Sequence, residues 1–361
     1  MNDGSDVRAA VVGATGAVGQ RLVRLLLRHP WLRLHELLAS RDSAGSSYGE
    51  ATDWVLSGAM PPEVADRRVR AAGDDLESDV VFSALPSGVA GPVEAGYADA
   101  GKLVVTNARD HRMEPDVPLV VPEVNPDHIA LSRRQEHRDG GRIVANPNCS
   151  TIGLVLALAP LVDAFGVESV HVVTMQALSG AGVPGVSGMS IQDNVIPHIE
   201  GEVEKLGREP HKILGGLRTG GRDSPRVQPL EMPVSAQCNR VPVLDGHLLS
   251  VSVALGGEGD ASVDEARLRR AWHEFSGPPQ ELGLPSAPRR PVAYLEDDAA
   301  PQPRRDRDAG GGMRVTVGGL RPCEVQDFRF VTLSHNTIRG AAGGALLTAE
   351  LVLAREGRVG A

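Results

Sequence analysis

The chain has 361 residues, which is too long for one ordinary hydrophobic core, so two domains are expected. Its hydrophobic content of 41% and charged content of 23% indicate a soluble globular protein. The net charge of −9 argues against non-specific binding to nucleic acid or to an anionic membrane surface. Three scattered cysteines argue against a disulfide framework, the first residues are unlike a signal peptide, and no apolar run is long enough to cross a membrane. The cytoplasm is therefore the expected compartment.

The beginning of the chain carries a nucleotide-binding pattern. Residues 7–12 predict a buried strand, and residues 20–27 predict a helix. The turn between them contains Gly13, Thr15, Gly16, Ala17 and Val18. A strand, a glycine turn and a helix together place a pyrophosphate at the helix N-terminus. The Gly-x-x-Gly-x-x-Gly spacing is weak evidence alone, and a plain packing turn is the alternative. Its position directly after the first strand favours nucleotide binding.

The next predicted strand, residues 34–39, leads into Ser40, Arg41 and Ser43. An NAD site usually offers an acidic residue here to the ribose, whereas an NADP site offers an Arg and hydroxyls to the extra phosphate. Arg41 with the two serines favours NADP. Asp42 is compatible with either cofactor, and Arg41 could also be an ordinary surface charge.

Further strands are predicted over residues 79–84, 103–106, 119–121 and 142–145, with helices or loops between them. This alternation predicts an open, mainly parallel sheet with helices on both faces. Ser87 follows one of these strands, at the edge where such sheets bind ligands, although a plain turn is the alternative. Arg112 follows another strand end and could bind an anion or be surface charge.

Cys149 follows the turn at Pro147 and precedes an apolar run over residues 152–158. The pattern predicts a helix start, with Cys149 in or next to its first turn. Free N–H groups and the helix dipole would favour a thiolate there, and a thiolate is a strong nucleophile. The alternative is a buried, inert cysteine.

A second predicted strand system begins with residues 170–175, which end at Gln176. Ser179 and Gly180 follow in a glycine-rich loop. Arg240 and His247 flank the turn signal Asp245-Gly246, which predicts a bend or a hairpin. A histidine can act as general acid or base near neutral pH, although a single histidine is more often a packing residue.

The remaining patterns carry less chemistry. The charged stretch 196–212 predicts a solvated helix face, and residues 263–275 predict another helix. Residues 283–312 are rich in Pro, Arg, Asp and Gly and predict a long loop. The chain is then expected to close with strands over 313–317 and 328–333 and a helix over 336–356. Cysteine and histidine spacings do not suit a metal site.

These motifs together resemble aspartate-semialdehyde dehydrogenase, specifically its archaeal and fungal branch, over nearly the whole chain. The segments that carry the resemblance are 13–19 (Gly-Ala-Thr-Gly-Ala-Val-Gly), 122–125 (Pro-Glu-Val-Asn), 146–151 (Asn-Pro-Asn-Cys-Ser-Thr), 176–182 (Gln-Ala-Leu-Ser-Gly-Ala-Gly), 193–197 (Asp-Asn-Val-Ile-Pro), 239–242 (Asn-Arg-Val-Pro) and 336–342 (Asn-Thr-Ile-Arg-Gly-Ala-Ala). The resemblance implies an α/β fold with a Rossmann-like dinucleotide-binding domain and an α+β catalytic and dimerisation domain, as in glyceraldehyde-3-phosphate dehydrogenase. The expected NADP-binding domain covers residues 1–148 and is completed by a C-terminal helix, 336–361. The catalytic domain would cover 149–335.

The resemblance also implies a reaction, the NADPH-dependent reductive dephosphorylation of L-aspartyl 4-phosphate to aspartate 4-semialdehyde, on the route to lysine, threonine and methionine. Cys149 would be the nucleophile that forms a thioester. Gln176 would orient the acyl group, Arg240 would bind the substrate carboxylate, and His247 would be the general acid/base. A homodimer or homotetramer is expected.

Other contacts are implied with the substrate and the cofactor. Arg112 and Lys212 would contact the phosphate, and either Glu209 or Glu202 would face the amino group. The expected cofactor contacts are Gly13, Thr15, Gly16, Ala17, Val18, Ser40, Arg41, Ser43, Ser87, Ser179, Gly180 and Asn336, the last near the nicotinamide.

Related enzymes are the main alternatives. Malonyl-CoA reductase resembles the same branch and would keep Cys149, Arg240 and His247, but it would need room for coenzyme A. N-acetyl-glutamyl-phosphate reductase usually has Gly where Asn148 stands. A non-catalytic dinucleotide sensor would have no reason to keep Cys149, Gln176, Arg240 and His247 together. The sequence departs from the family pattern at Arg109-Asp110 and at Ser46-Ser47, where a Lys often stands.

Overall fold

The structure, a computed structural model, describes residues 7–221, 224–256 and 263–360. The N-terminal residues 1–6, on which the signal-peptide interpretation rests, lie outside the described residues. They and residue 361 are also the two ends of the predicted NADP-binding domain. Within the described ranges, no helix combines the length and apolar character that a bilayer crossing requires.

The first sheet is fully parallel. Its strands are β1 (Val7–Val12), β2 (Leu32–Ala39), β3 (Val69–Ala71), β4 (Val80–Ser83), β5 (Leu103–Thr106) and β6 (Arg142–Ala145). They lie in the order β3-β2-β1-β4-β5-β6, so the direction of winding reverses between β1 and β4. In such sheets the crevice at the carboxyl end of the reversal point is the usual ligand site. The predicted Rossmann-like topology is confirmed.

Helices cover this sheet. They are α1 (Ala17–Leu26), α2 (Tyr48–Ala51), α3 (Pro62–Ala65) and α4 (Ala90–Asp99), with 3₁₀ segments at Pro126–Arg134 and Arg138–Gly140. The strand predicted over 119–121 is wrong, because only an isolated bridge joins Leu119 to Ala145. Pro118 and Pro122 bracket this stretch, and proline cannot donate to a strand ladder.

The second sheet is mixed. Its strands are β7 (Val167–Gln176), β10 (Val234–Arg240), β11 (His247–Leu255), β12 (Val292–Leu295), β13 (Val315–Pro322) and β14 (Phe328–Ser334), and a separate pair consists of β8 (Gly216–Arg218) and β9 (Arg226–Gln228). The order is β10-β7-β11-β14-β13-β12. The accompanying helices are α5 (Cys149–Phe165), α6 (Gly188–Ile191), α7 (Glu202–Ile213), α8 (Glu265–Glu274), α9 (Pro278–Glu281) and α10 (Pro303–Asp306).

The helix α5 lies at the centre of the second domain. Its sequence is apolar on all sides, which is typical of a helix buried all round. Its residues from Ser150 to Leu161 are all buried, and they share one core with the strands of the second sheet. Trp272 on α8 donates its indole N–H to the carbonyl of Ala157, 2.8 Å away. Cys149 is therefore the first residue of a rigid element.

Of the two alternatives predicted at Asp245-Gly246, the chain forms the bend and not the hairpin, because β10 and β11 pair with β7 on opposite sides. Two other sequence predictions for this region are wrong. The predicted loop over 283–312 contains β12 and α10. The charged stretch is not simply a solvated face, since Glu202, Glu209 and Lys212 are buried. Composition indicates the average polarity of a helix but not which of its charged residues face the protein.

The end of the chain returns to the first sheet. The predicted single helix over 336–356 is a π-helical turn, Ile338–Ala342, followed by α11 (Gly343–Arg355). A side chain at Gly340 would bring its Cβ within 2.7 Å of the Cβ of Cys149, so only glycine permits this packing. Residues of α11 belong to the same apolar cluster as β1 and β2. The domain boundaries at 148/149 and 335/336 remain predictions.

A buried ion pair fixes this turn. Arg339 donates from both terminal nitrogens to the two carboxylate oxygens of Glu123, at 2.8 and 2.5 Å, and both side chains are almost fully buried. We expect Glu123→Ala to lower the free energy of unfolding by about 3–5 kcal/mol, because it leaves a buried charge without its partner. Urea unfolding measures the loss. Asp297→Ala, which removes the exposed partner of Arg305, should change the free energy of unfolding far less. Equal losses in the two variants would contradict this account.

Candidate active site

Three predicted site residues meet at one end of the second sheet. Gln176 is the last residue of β7 and pairs in register with Arg240, the last residue of the parallel strand β10. His247 begins β11, whose next residue, Leu248, pairs with Met175. The topology thus brings together three side chains that lie far apart in sequence. All three are buried.

The start of α5 brings Cys149 to the same place. Asn148 is the N-cap, and its side-chain oxygen accepts from the backbone N–H groups of Ser150 and Thr151. The sulphur of Cys149 lies 3.2 Å from Nε2 of His247. The helix start predicted at this cysteine is confirmed. The cap explains it, because Asn is among the best N-cap residues.

The backbone selects the tautomer of His247. Its Nδ1 accepts a hydrogen bond from the N–H of Ala177, at 3.0 Å. The proton of the neutral ring is therefore on Nε2, which faces the sulphur. A second proton, on Nδ1, would point at the Ala177 N–H, which is itself a donor. The site thus presents a donor to whatever negative charge forms at or beside Sγ.

Burial dominates the ionisation of both groups. It raises the pKa of Cys149 to about 12, with the Glu202 charge adding to the rise, while Arg112, Lys205 and Arg240 act against it. Burial, followed by the Arg240 charge, lowers the pKa of His247 to about 3. The thiolate predicted from the helix dipole is therefore opposed by desolvation.

The rate of alkylation should report this shift. Iodoacetamide reacts with the thiolate, whose fraction rises about tenfold per pH unit below the thiol pKa. We expect the alkylation rate of Cys149, followed by peptide mass spectrometry, to keep rising between pH 7 and pH 9. Cys323 is an internal control, since hydrogen bonds from the Gln326 and Val325 backbones lower its pKa and its rate should level off earlier. A plateau for Cys149 below pH 8 would contradict the argument from burial.

Two buried carboxylates lie beside the cysteine. Glu209 accepts from the backbone N–H of Asn148 at 2.7 Å and from Arg112 at 2.9 Å. Glu202 accepts from the side chains of Gln176, Asn148 and Lys205. Lys205 and these hydrogen bonds keep the pKa of Glu202 lowered in spite of burial. Both carboxylates therefore act as hydrogen-bond acceptors within the site.

Arg112 and Lys212 occupy different positions. Arg112 lines the cleft in front of Cys149, and it also donates to the carbonyl of Asn107. Lys212 donates to the carbonyls of Arg112, Glu114 and Val117, at 2.8, 2.7 and 2.8 Å. Those three bonds use all three protons of an ammonium group. In this conformation Lys212 holds the segment that carries Arg112, and its expected contact with phosphate remains a prediction.

A cleft of about 540 Å³ leads from the first sheet to Cys149. Predicted cofactor residues that line it are Gly16, Ala17, Val18, Ser87, Ser179, Gly180 and Asn336. Gly13 and Thr15 lie in the turn behind it. Gly13 has a φ of +81°, and a Cβ there would lie 2.6 Å from the carbonyl oxygen of Ala84. The turn after β1 thus packs directly on the end of β4, and the N-terminus of α1 faces the cleft. This arrangement fits a dinucleotide pyrophosphate.

Ser40, Arg41 and Ser43 lie at the carboxyl end of β2, next to β1. The two serine hydroxyls are 3.4 Å apart, and Arg41 is exposed. These residues do not line the cleft itself, but they lie on the same edge of the sheet. Their contact with a cofactor phosphate remains a prediction.

Several residues of the site were missed from the sequence. Lys205 binds Glu202, Ala177 fixes the histidine tautomer, and Asn148 caps the helix while binding both carboxylates. An Asn directly before a cysteine and an apolar run is an N-cap signal that the sequence offers. The other contacts depend on tertiary structure. Among the described residues, no group of three or more His, Cys, Asp or Glu side chains is arranged to hold a metal ion.

Comparison with known protein families agrees with this geometry. The family model for the semialdehyde dehydrogenase NAD binding domain matches residues 8–132, and the model for the semialdehyde dehydrogenase dimerisation domain matches residues 158–339. An aspartate-semialdehyde dehydrogenase from Methanothermobacter thermautotrophicus is 48% identical over 96% of this chain and 99% of its own length.

Solved structures agree as well. The aspartate-semialdehyde dehydrogenase of Candida albicans, crystallised with NADP, superposes with a TM-score of 0.87 and is 42% identical, covering 98% of this chain and 99% of that one. Aspartate-semialdehyde dehydrogenase II of Vibrio cholerae, complexed with ASA, has a TM-score of 0.76 and 27% identity over 98% of this chain and 99% of that one. On these likenesses of sequence and fold over nearly its whole length, the chain belongs to the aspartate-semialdehyde dehydrogenase family.

Proposed function

We propose that the protein reduces L-aspartyl 4-phosphate to L-aspartate 4-semialdehyde, with release of phosphate, and uses NADPH. The observation that carries the proposal is the 3.2 Å contact between the sulphur of Cys149 and Nε2 of His247 at the inner end of a dinucleotide cleft. The names of the relatives mention aspartate semialdehyde and NADP, which support the proposed product and cofactor. The route would serve the biosynthesis of lysine, threonine and methionine, and the cytoplasmic location expected from the sequence remains a prediction.

The cleft residues are suited to the cofactor. The N-terminus of α1, at Gly16, would receive the pyrophosphate, and Arg41 with Ser40 and Ser43 would receive the additional phosphate of NADP. Asn336 would lie near the nicotinamide, since it lines the cleft beside Ser179. When bound, the nicotinamide supplies the hydride.

Arg240 is the proposed binding group for the substrate carboxylate. It is buried, and it donates from one terminal nitrogen to the carbonyl of Ala177, at 2.8 Å. This contact fixes the plane of the guanidinium, which suits bidentate binding of a carboxylate. The other anionic group, the phosphate, would meet Arg112 at the cleft wall. Glu209 or Glu202 would face the ammonium group, and Glu202 lies nearer the acyl site because it binds Gln176.

The covalent step takes place at the sulphur. Cys149 attacks the acyl phosphate carbon as the thiolate, the carbon–oxygen bond to phosphate breaks, and a thioester with the sulphur remains, while the thiol proton leaves with the phosphate. Arg112 and Arg240 lower the pKa of Cys149 against burial, so they favour the ionised nucleophile. The Nε2–H of His247 donates to the oxygen or sulphur that gains charge, and the amide of Gln176 orients the carbonyl.

We also propose that the protein forms a homodimer or homotetramer through the second sheet. Val170, Val172, Leu249 and Val251 point into the core that contains α5. The alternate residues Val173, Met175, Leu248 and Val331 are only partly buried, and they lie on the opposite face of the sheet. A second copy would cover this face, in keeping with the name of the matching dimerisation domain. Sedimentation would establish the number of subunits.

One assay tests the reaction. Purified protein receives aspartate semialdehyde, phosphate and NADP, and formation of NADPH is followed by absorbance. We expect turnover that depends on phosphate and is faster with NADP than with NAD. Parallel assays supply malonate semialdehyde with coenzyme A, or N-acetyl-glutamate semialdehyde with phosphate. The proposal would be overturned if aspartate semialdehyde gave no turnover, or if either of the other two semialdehydes were turned over faster.

A further inference from the structure

We propose that Arg21, on the first helix of the nucleotide domain, is a positioning residue that acts on His247 through Asp245. The inference rests on the proposed function, because it concerns the same histidine. It assigns a role to the contact between α1, whose first residues line the cofactor cleft, and the loop that leads into β11.

The contact is direct and partly shielded from solvent. A terminal nitrogen of Arg21 lies 3.2 Å from Oδ2 of Asp245, and the two side chains are only 12% and 19% exposed. Burial lowers the pKa of Arg21, and the Asp245 charge acts against that shift. A pair at this depth is less screened than a surface pair, so its loss has a larger effect on geometry. The helix that carries Arg21 begins at Ala17, and Gly16 to Val18 line the cofactor cleft.

The loop between β10 and β11 is held from two further sides. Arg307 donates to the backbone carbonyl of Asp245 at 3.1 Å, and the N–H of Gly246 donates to the side-chain oxygen of Asn336 at 2.8 Å. Asn336 in turn donates to the hydroxyl of Ser179, at 2.8 Å. These contacts fix the backbone immediately before His247. The ion pair between Arg21 and Asp245 connects the same loop to α1, the helix that the cofactor would contact.

The consequence concerns the distance between Sγ and Nε2. His247 follows Asp245 by two residues on a short, tightly bound stretch, so a rotation of the Asp245 segment moves the ring. A displacement of about 1 Å can cost about 10²-fold in rate even when it arises outside the reacting groups. The hydrogen bonds of the loop with Arg307 and Asn336 remain in an Arg21 variant. A smaller effect of about tenfold on kcat is therefore expected. Binding of aspartate semialdehyde should change little, because Arg21 does not reach Arg240 or Gln176.

The test uses the full chain and the NADP-dependent oxidation of aspartate semialdehyde. Arg21→Gln and Asp245→Asn should each lower kcat about tenfold while changing the KM of the semialdehyde less than about twofold. The double variant should be no slower than the slower single variant, since both remove the same contact. Arg21→Lys keeps the charge and should recover part of the loss. Arg24→Gln is the matched control: Arg24 lies on the same helix, donates to the carbonyl of Ser57, and should leave kcat unchanged.

Turnover by the wild type distinguishes a failure of the proposed function from a failure of the inference about Arg21. An inactive wild type removes the proposed function, whereas an active wild type with unaffected Arg21→Gln and Asp245→Asn variants removes only this inference. Additive losses in the double variant, or the same loss in Arg24→Gln, would also overturn it. If Arg21→Gln does not fold, as judged by circular dichroism, the nearly isosteric Asp245→Asn and the charge-conserving Arg21→Lys decide the matter.

Discussion

Cys149→Ala is expected to lower kcat for phosphate-dependent oxidation of aspartate semialdehyde by at least about 10³-fold, because a covalent thioester can no longer form. The side chain is small and lies at the first position of α5, where alanine continues a helix well. The variant should therefore fold and still bind NADP, which quenching of tryptophan fluorescence or calorimetry would measure.

Cys323→Ala is the matched control for this variant. Cys323 follows the end of β13, carries the same thiol, and is partly exposed. Its replacement should leave kcat within about twofold of the wild type, as is usual for surface changes. Turnover by Cys149→Ala at the wild-type rate would remove the proposed nucleophile, whatever the other variants show.

His247→Asn is the second change with a large expected effect. General acid–base catalysis by a positioned side chain contributes about 10²–10⁴-fold, so a loss of kcat in this range is expected. The KM of aspartate semialdehyde should change much less, because the substrate carboxylate is assigned to Arg240. Steady-state kinetics measure both parameters in one series.

His273→Asn is the control for the histidine variant. His273 is exposed on α8 and accepts from Arg290, and it lies outside the cleft. The account predicts an unchanged kcat for it. A small effect of His247→Asn on kcat with a large effect on KM would instead make His247 a substrate-binding residue.

The sequence was most informative where a local pattern decides the structure. Apart from the strand predicted over 119–121, the apolar strands of the first sheet, the glycine turn before α1 and the helix start at Cys149 lie where the local pattern indicates. The sharing of one site by Gln176, Arg240 and His247 could not follow from local patterns. It depends on β7 lying between β10 and β11, which only the sheet order reveals.

Charge was harder to interpret from sequence. Glu202, Glu209 and Lys212 belong to a helix whose composition favours solvent, yet each is buried and bound to partners from distant segments. The same applies to Cys149. The helix dipole is a local effect and lowers a thiol pKa, whereas burial is a tertiary effect and raises the pKa of Cys149. Tertiary packing decides both cases.

The central claim is that an acyl group is carried on the sulphur of Cys149. Aspartate semialdehyde and NADP, supplied without phosphate, should give a single burst of NADPH and an enzyme whose mass has increased by one aspartyl group. Peptide mapping after acid quench should locate that group on the peptide containing Cys149, and addition of phosphate should release it. A burst with a bare Cys149, or an acyl group on another residue, would contradict the account.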